Sequence, residues 1–175
     1  MVNGRRTGAA RRWPRLLPLL LLVLPTGGCT PPGESRAALR HLDDGRIELL
    51  AVVCEGHDAA RLAVYENRSE GGGAGWVVET PLGSPPVERT QVLRVTLFRT
   101  PDGWQEQEGA LDDLSPGTPY GLLFSDSAGQ GSQLRFTLDR LTGLGDRVLT
   151  GPWRHERVVE ESEFLDGARK SCDGA

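Results

Sequence analysis

Lysine is almost missing from this chain: Lys170 is the single lysine among 20 basic residues, against 24 acidic ones. A phosphate-binding surface needs clustered cations, because neutralising phosphates is what drives such binding, so nucleic acid is set aside as a partner. Histidine is scarce as well, with only His41, His57 and His155, and neither His41 nor His155 has the second spaced partner that a zinc site needs. The longest apolar run, residues 16–24, is about half of the roughly 20 residues needed to cross a bilayer as a helix, which excludes a stable spanning segment there. No internal repeat and no phosphate-cradling glycine motif is present, since Gly71-Gly72-Gly73 is not followed by Lys-Ser or Lys-Thr. A chain of 175 residues with 23 glycines and 12 prolines suits one globular domain rich in turns.

Acidic residues are absent from residues 1–28, which carry five arginines: Arg5, Arg6, Arg11, Arg12 and Arg15. Removing those 28 residues leaves 15 basic against 24 acidic side chains, a net charge of −9. A basic stretch, a short apolar run and small residues before a cysteine form the anatomy of a secretory signal. The ending Pro25-Thr26-Gly27-Gly28-Cys29 resembles the lipobox of bacterial lipoprotein signal peptides, with Thr26 standing where an aliphatic residue is usual. The resemblance implies cleavage after residue 28 and lipidation of Cys29, hence a location on the extracytoplasmic face of the cell membrane. Two or more acyl chains, at about 0.8 kcal/mol per buried methylene, hold a protein durably on a bilayer. The overall arrangement also resembles small actinobacterial lipoproteins of no established activity. With Cys29 given to lipid, Cys54 and Cys172 remain, and an exported location permits them to pair. The rival for Cys54 is a metal site, since Cys54-Glu55-Gly56-His57 spaces a thiol and an imidazole as zinc sites do, but two further ligands are missing.

Residues 29–44 read as the lipidated N-terminus and a tether, with a short helix over 36–42 capped by Ser35 as an option. Residues 45–140 alternate β-rich runs with turn clusters, and the predicted strands are 46–54, 61–67, 76–80, 91–99, 120–126 and 133–138. Their spacing predicts an all-β antiparallel sandwich. Residues 141–175 form an extension packed on that domain, ending in a short helix from Ser162 that puts Leu165, Ala168 and Cys172 on one face.

Leu114-Ser115-Pro116-Gly117-Thr118-Pro119-Tyr120 is the most specific local pattern. It resembles the turn before the penultimate strand of fibronectin type III domains. That resemblance implies an immunoglobulin-like sandwich in which Pro116 and Gly117 form the turn and the Tyr120 hydroxyl bonds back to turn backbone, the tyrosine corner. The resemblance spans the last hairpin; over 45–113 it extends only to strand number and spacing, and another two-sheet topology stays open.

Reaction motifs are lacking. There is no Gly-x-Ser-x-Gly elbow, and Asp126-Ser127-Ala128-Gly129 lacks the ladder of a calcium loop. His57 reads as an exposed turn residue. Asp43-Asp44, Asp112-Asp113 and Glu160-Glu161 are paired acids that would serve glycoside cleavage only if the fold set two carboxyls at the right separation. Trp76, Trp104 and Trp153 are candidates for a binding platform, Trp104 being the one expected outside. Asn67-Arg68-Ser69 matches the glycosylation triplet by coincidence. The expectation is therefore a non-catalytic envelope lipoprotein without metal or cofactor, a binding or scaffold module for a wall polymer or an envelope protein. The alternatives are a small wall hydrolase acting through carboxylates and a structural subunit of an envelope complex.

Overall fold

The computed structural model describes residues 36–67, 73–152 and 154–173. The expected signal segment, Cys29, Ser35, the Asn67-Arg68-Ser69 triplet beyond Asn67 and Trp153 lie outside the described residues.

Strand β1 (Ala37–His41) opens the domain, followed by β2 (Ile47–Val53), β3 (Ala59–Glu66), β4 (Gly75–Glu79), β5 (Gln91–Thr96), β6 (Gln105–Gly109), β7 (Tyr120–Asp126) and β8 (Gly131–Phe136). Helix α1 (Leu138–Thr142), β9 (Arg147–Thr150), β10 (Arg157–Glu160) and helix α2 (Glu161–Asp173) complete it. The strands form two antiparallel five-stranded sheets, β10-β9-β1-β2-β5 and β6-β4-β3-β7-β8. Within them β1-β2-β5 and β3-β7-β8 reproduce the A-B-E and C-F-G neighbours of an immunoglobulin-like sandwich. The fold is thus an all-β sandwich with a C-terminal helix.

Alternation places the core. In β2, Ile47, Leu49, Ala51 and Val53 point between the sheets, while Leu50 and Val52 point to the other side and join Ala38, Val148, Val159, Phe164 and Ala168 under α2. β2 is apolar on both faces because both faces are covered, one by the second sheet and one by the helix. β8 shows the opposite case, with Ser132, Leu134 and Phe136 buried and the residues between them exposed. α2 is 13 residues long, a length marginal for an isolated helix in water, and Gly167 weakens it by about 1 kcal/mol relative to Ala. Burying Phe164 offsets this by about 1.5–3 kcal/mol. Each end is also fastened. The Cys54–Cys172 disulfide joins its last turn to the end of β2 across 118 positions of sequence. At its first turn Glu161 accepts hydrogen bonds from Arg40 and Arg94, which both also pair with Glu48.

The expected turn is present. Thr118 N–H donates to Ser115 O at 3.3 Å, Gly117 has φ +73°, and Tyr120 Oη accepts from Ser115 N–H at 2.8 Å. Pro116 supplies the fixed φ of a type II turn's second residue, and Gly117 the positive φ of its third. Tyr120 is fully buried and stacks on Phe136 with ring centroids 5.7 Å apart.

Several expectations are corrected. Residues 37–41 are neither tether nor helix but strand β1, in the middle of the first sheet between β2 and β9; the small Ala37 and Ala38 suit a strand packed on both faces. The domain therefore starts before Gly45, and residues 147–160 belong to the sandwich as β9 and β10 rather than to an appended extension. Strand β5 stops at Thr96, because Phe98 takes φ +61° and Arg99 N–H bonds back to Thr96 O at 3.3 Å. Strand β8 ends at Phe136, and Thr137 caps α1 by accepting from Arg140 N–H. Helix α2 starts at Glu161, so Ser162 lies inside its first turn rather than capping it. β6, a fully exposed edge strand with no apolar residue, carries no period that betrays burial.

Candidate functional site

The two ends of the sandwich hold its two groups of chemistry-bearing side chains. At one end, β1 begins, β2 ends and the β7–β8 hairpin turns. Arg36, just before β1, is 6% exposed. Its N–H donates to Ser132 Oγ at 2.8 Å, Nη2 to Asp126 Oδ2 at 2.9 Å and Nη1 to Cys54 Sγ at 3.0 Å. Asp126 closes β7, and its side chain is wholly buried. Oδ2 also lies 2.9 Å from His57 Nδ1, and Oδ1 accepts from Ala128 N–H and Gln130 N–H at 3.1 and 2.9 Å. Burial alone would raise the carboxyl's pKa; the hydrogen bonds from His57 and Arg36, the Arg36 charge and the Gln130 N–H outweigh it and hold Asp126 below the ordinary carboxylate range.

A buried carboxylate on Nδ1 of an imidazole is how a general base is oriented in nucleophilic hydrolysis. Here the same carboxylate oxygen is shared with a buried guanidinium, and among the described residues no hydroxyl or thiol bonds the His57 ring. The neighbouring hydroxyls accept from backbone, Ser132 Oγ from Arg36 N–H and Ser127 Oγ from Asp58 N–H. The arrangement serves to lock the β2–β3 turn, the β7–β8 turn and the start of β1 together. His57 is accordingly half-buried and tied down, not the exposed turn residue expected. Sequence offered little warning, since Arg36 and Asp126 are 90 positions apart and His57 and Asp126 are 69 apart.

At the opposite end, a cleft of about 440 Å³ opens between the β1–β2 turn, the turn after β5, the segment before the tyrosine corner and α1. His41, Arg46, Arg99, Asp112 and Asp113 supply its polar groups, and Leu97, Phe98, Leu114 and Leu138 its apolar ones. Arg46 is engaged with Asp44, whose carboxyl it draws below the ordinary range chiefly through a side-chain hydrogen bond. Phe98 meets Trp76 edge to face with centroids 5.6 Å apart. A positive φ at a bulky residue stores about 1–3 kcal/mol of strain and is found where surrounding packing dictates it. The turn that carries Phe98 and Arg99 into the cleft is fixed in this way.

The other expected residues are dispersed. Of the acid pairs, only Asp112-Asp113 reaches the cleft, where both are exposed. Asp44 binds Arg46, and Glu161 joins the arginines over the first sheet. His155 is exposed elsewhere. Trp76 is 1% exposed in the core, and Trp104 is half-buried against that core rather than outside, so these two make no platform. Cys54 is consumed by its disulfide, which removes the Cys54/His57 metal pair. Among the described residues no three His, Cys, Asp or Glu side chains converge on a metal position, and no helix is long and apolar enough to cross a membrane. Comparison with protein-family models, curated proteins and solved structures gives no match to this chain.

Proposed function

We propose that the chain is an exported lipoprotein, anchored through Cys29 on the extracytoplasmic face of the cell membrane, and that its sandwich is a non-catalytic module binding a wall polymer or another envelope protein at the cleft. The observation carrying this reading is the placement of the two ends. Strand β1 runs from Ala37, next to Arg36 beside the disulfide, to His41, in the cleft wall. The described domain thus begins at the end opposite the cleft, so the cleft lies clear of the point where the chain enters. The Cys54–Cys172 bond supports an oxidising compartment. The cleft's mixture of exposed charge and apolar floor suits recognition, with a few polar groups fixing orientation over an apolar surface.

The test has two arms on the full chain. An acyl probe fed to expressing cells is expected to label the wild type and not Cys29→Ala; equal labelling overturns the anchor. Vesicle-bound protein is then offered purified peptidoglycan fragments and envelope extract. Arg99→Glu, an exposed change, is expected to weaken the captured interaction at least tenfold, and undiminished capture overturns the cleft as the site. A saturable turnover lost on replacing Asp112 or Asp113 would replace this reading with a hydrolase.

A further inference from the structure

The surroundings of the disulfide are unequal on its two sides. Cys54 is 5% exposed, beneath the β2–β3 turn, and its sulfur takes a hydrogen bond from Arg36 Nη1 at 3.0 Å. Cys172 is half-buried on the last turn of α2, more open than Cys54. Thiol–disulfide exchange requires an approachable sulfur for attack and favours a leaving sulfur stabilised as thiolate. Access selects Cys172 for the first role, and the buried guanidinium selects Cys54 for the second.

We propose that Cys54–Cys172 is a thiol-exchange site with a fixed direction, open to a dithiol reductant that attacks Cys172 and expels Cys54. The reductant's thiolate forms a bond to Cys172 Sγ as the Cys54–Cys172 bond breaks, and the electron pair leaves on Cys54 Sγ, facing Arg36. The reductant's second thiol, as thiolate, then attacks its own sulfur in the mixed disulfide. This releases Cys172, which takes up one proton, and yields the oxidised dithiol. Two protons leave the reductant; one ends on Cys172 and the other in solvent, because Cys54 stays ionised.

The charges around Cys54 fit this role. From the residue ahead of β1 comes Arg36, from the β2–β3 turn His57, and from the β7–β8 hairpin Asp126. Among the described residues Asp126 is the carboxylate bonded to Arg36, and it is shared among Arg36 Nη2, His57 and two backbone N–H donors. Nη1 therefore stays directed at sulfur. Glu55 and, on α2, Lys170 and Asp173 are exposed, where solvent screens them. The result of reduction is confined as well. Glu161 remains held by Arg40 and Arg94 at the first turn of α2, so only the last turns lift. Ala168 and Cys172, which pack in the same apolar cluster as Val52 and Val92, move with them.

The direction is tested on the full chain carrying Cys29→Ser. Brief exposure to dithiothreitol with acid quenching, followed by peptide mass mapping, is expected to find the trapped adduct on Cys172 at least tenfold more often than on Cys54; equal or reversed trapping overturns the proposal. Thiolate absorbance against pH is then read on two further variants. With Cys172→Ser added, Cys54 is expected to ionise at least one unit below the ordinary thiol value of about 8.5; with Cys54→Ser added, Cys172 is expected near that value. A Cys54 midpoint at or above 8.5 refutes the role given to Arg36. Because these readings keep Arg36 in place, they do not depend on whether an Arg36 variant folds.

Discussion

Replacing Asp126 by Asn isolates what the buried network contributes. The side chains of Asp126 and Arg36 are 0% and 7% exposed, with Nη2 2.9 Å from Oδ2. Asparagine keeps one oxygen, which can still accept from Ala128 and Gln130 N–H. Its amide nitrogen then faces His57 and Arg36. The histidine can adapt by changing tautomer and accepting at Nδ1, but the guanidinium cannot, and it is left buried without a counter-ion. Removing one partner of a buried pair costs about 3–5 kcal/mol, and the rescue by His57 puts the expected loss near the lower figure. With a urea dependence of about 2 kcal/mol/M, the unfolding midpoint should fall by about 1.5 M, with little change in slope. Both proteins are measured with the disulfide intact. The double variant Arg36→Met/Asp126→Asn, which also removes the stranded charge, should be more stable than Asp126→Asn alone. A loss below about 1 kcal/mol, or no recovery in the double variant, would mean that water reaches the guanidinium and that the pair behaves like a surface one.

The carboxyl of Asp126 has its folded pKa lowered, so its contribution is whole above the ordinary range near pH 3.9 and fades as pH drops through the lower folded value; the stability gap between wild type and Asp126→Asn should narrow on acidification, and a constant gap from pH 7 to pH 2 contradicts this. Tyr120→Phe keeps the ring on Phe136 but removes the acceptor of Ser115 N–H, and should cost about 1 kcal/mol in denaturant unfolding; no measurable loss counts against the corner as a stabilising bond. Gly151→Ala should destabilise far more than Gly145→Ala, because a Cβ at Gly151 (φ +118°) would sit 2.6 Å from His155 O, whereas nothing lies within 4 Å of one at Gly145 (φ +59°); thermal melts of the two variants decide it. Glu161→Ala should cost about 0.5–1 kcal/mol and speed amide exchange in the first turn of α2 while leaving the turn at Cys172 protected; uniform exchange along the helix would mean the arginines do not clamp it.

Runs rich in aliphatic and aromatic residues between turn clusters could be read directly as strands from sequence. Tyr120–Asp126 is observed with its expected bounds, and β2, β3 and β4 shift by no more than two residues at either end. The tyrosine corner was legible because proline, glycine and tyrosine each meet a separate local demand within six positions. β1 was not, since Ala37-Ala38-Leu39 favours helix locally and becomes strand only because β2 and β9 flank it. β6 has no buried residue to set a period, and β9 and β10 are four residues each, too short to separate from loop. The pairing of Cys54 with Cys172 followed from counting. The attachment of Arg36 and His57 to Asp126 could not, because long-range register brings them together and no local spacing encodes it. The cleft is equally nonlocal, assembled from three separate loop segments and helix α1.

The run Gln105-Glu106-Gln107-Glu108-Gly109 decides how the molecule treats its own copies. It borders the second sheet, and between Glu106 and Glu108 the pairing with β4 slips at Val77/Val78. Two molecules meeting along this border would bring glutamates of one against glutamates of the other, each contact unfavourable by about 1 kcal/mol at 4 Å in water, across a rim already bent by the irregular pairing. Self-templated growth of the sheet is disfavoured twice over. Exchanging Glu106 and Glu108 for valine would take away the repulsion and leave the bend as the sole obstacle to filament formation.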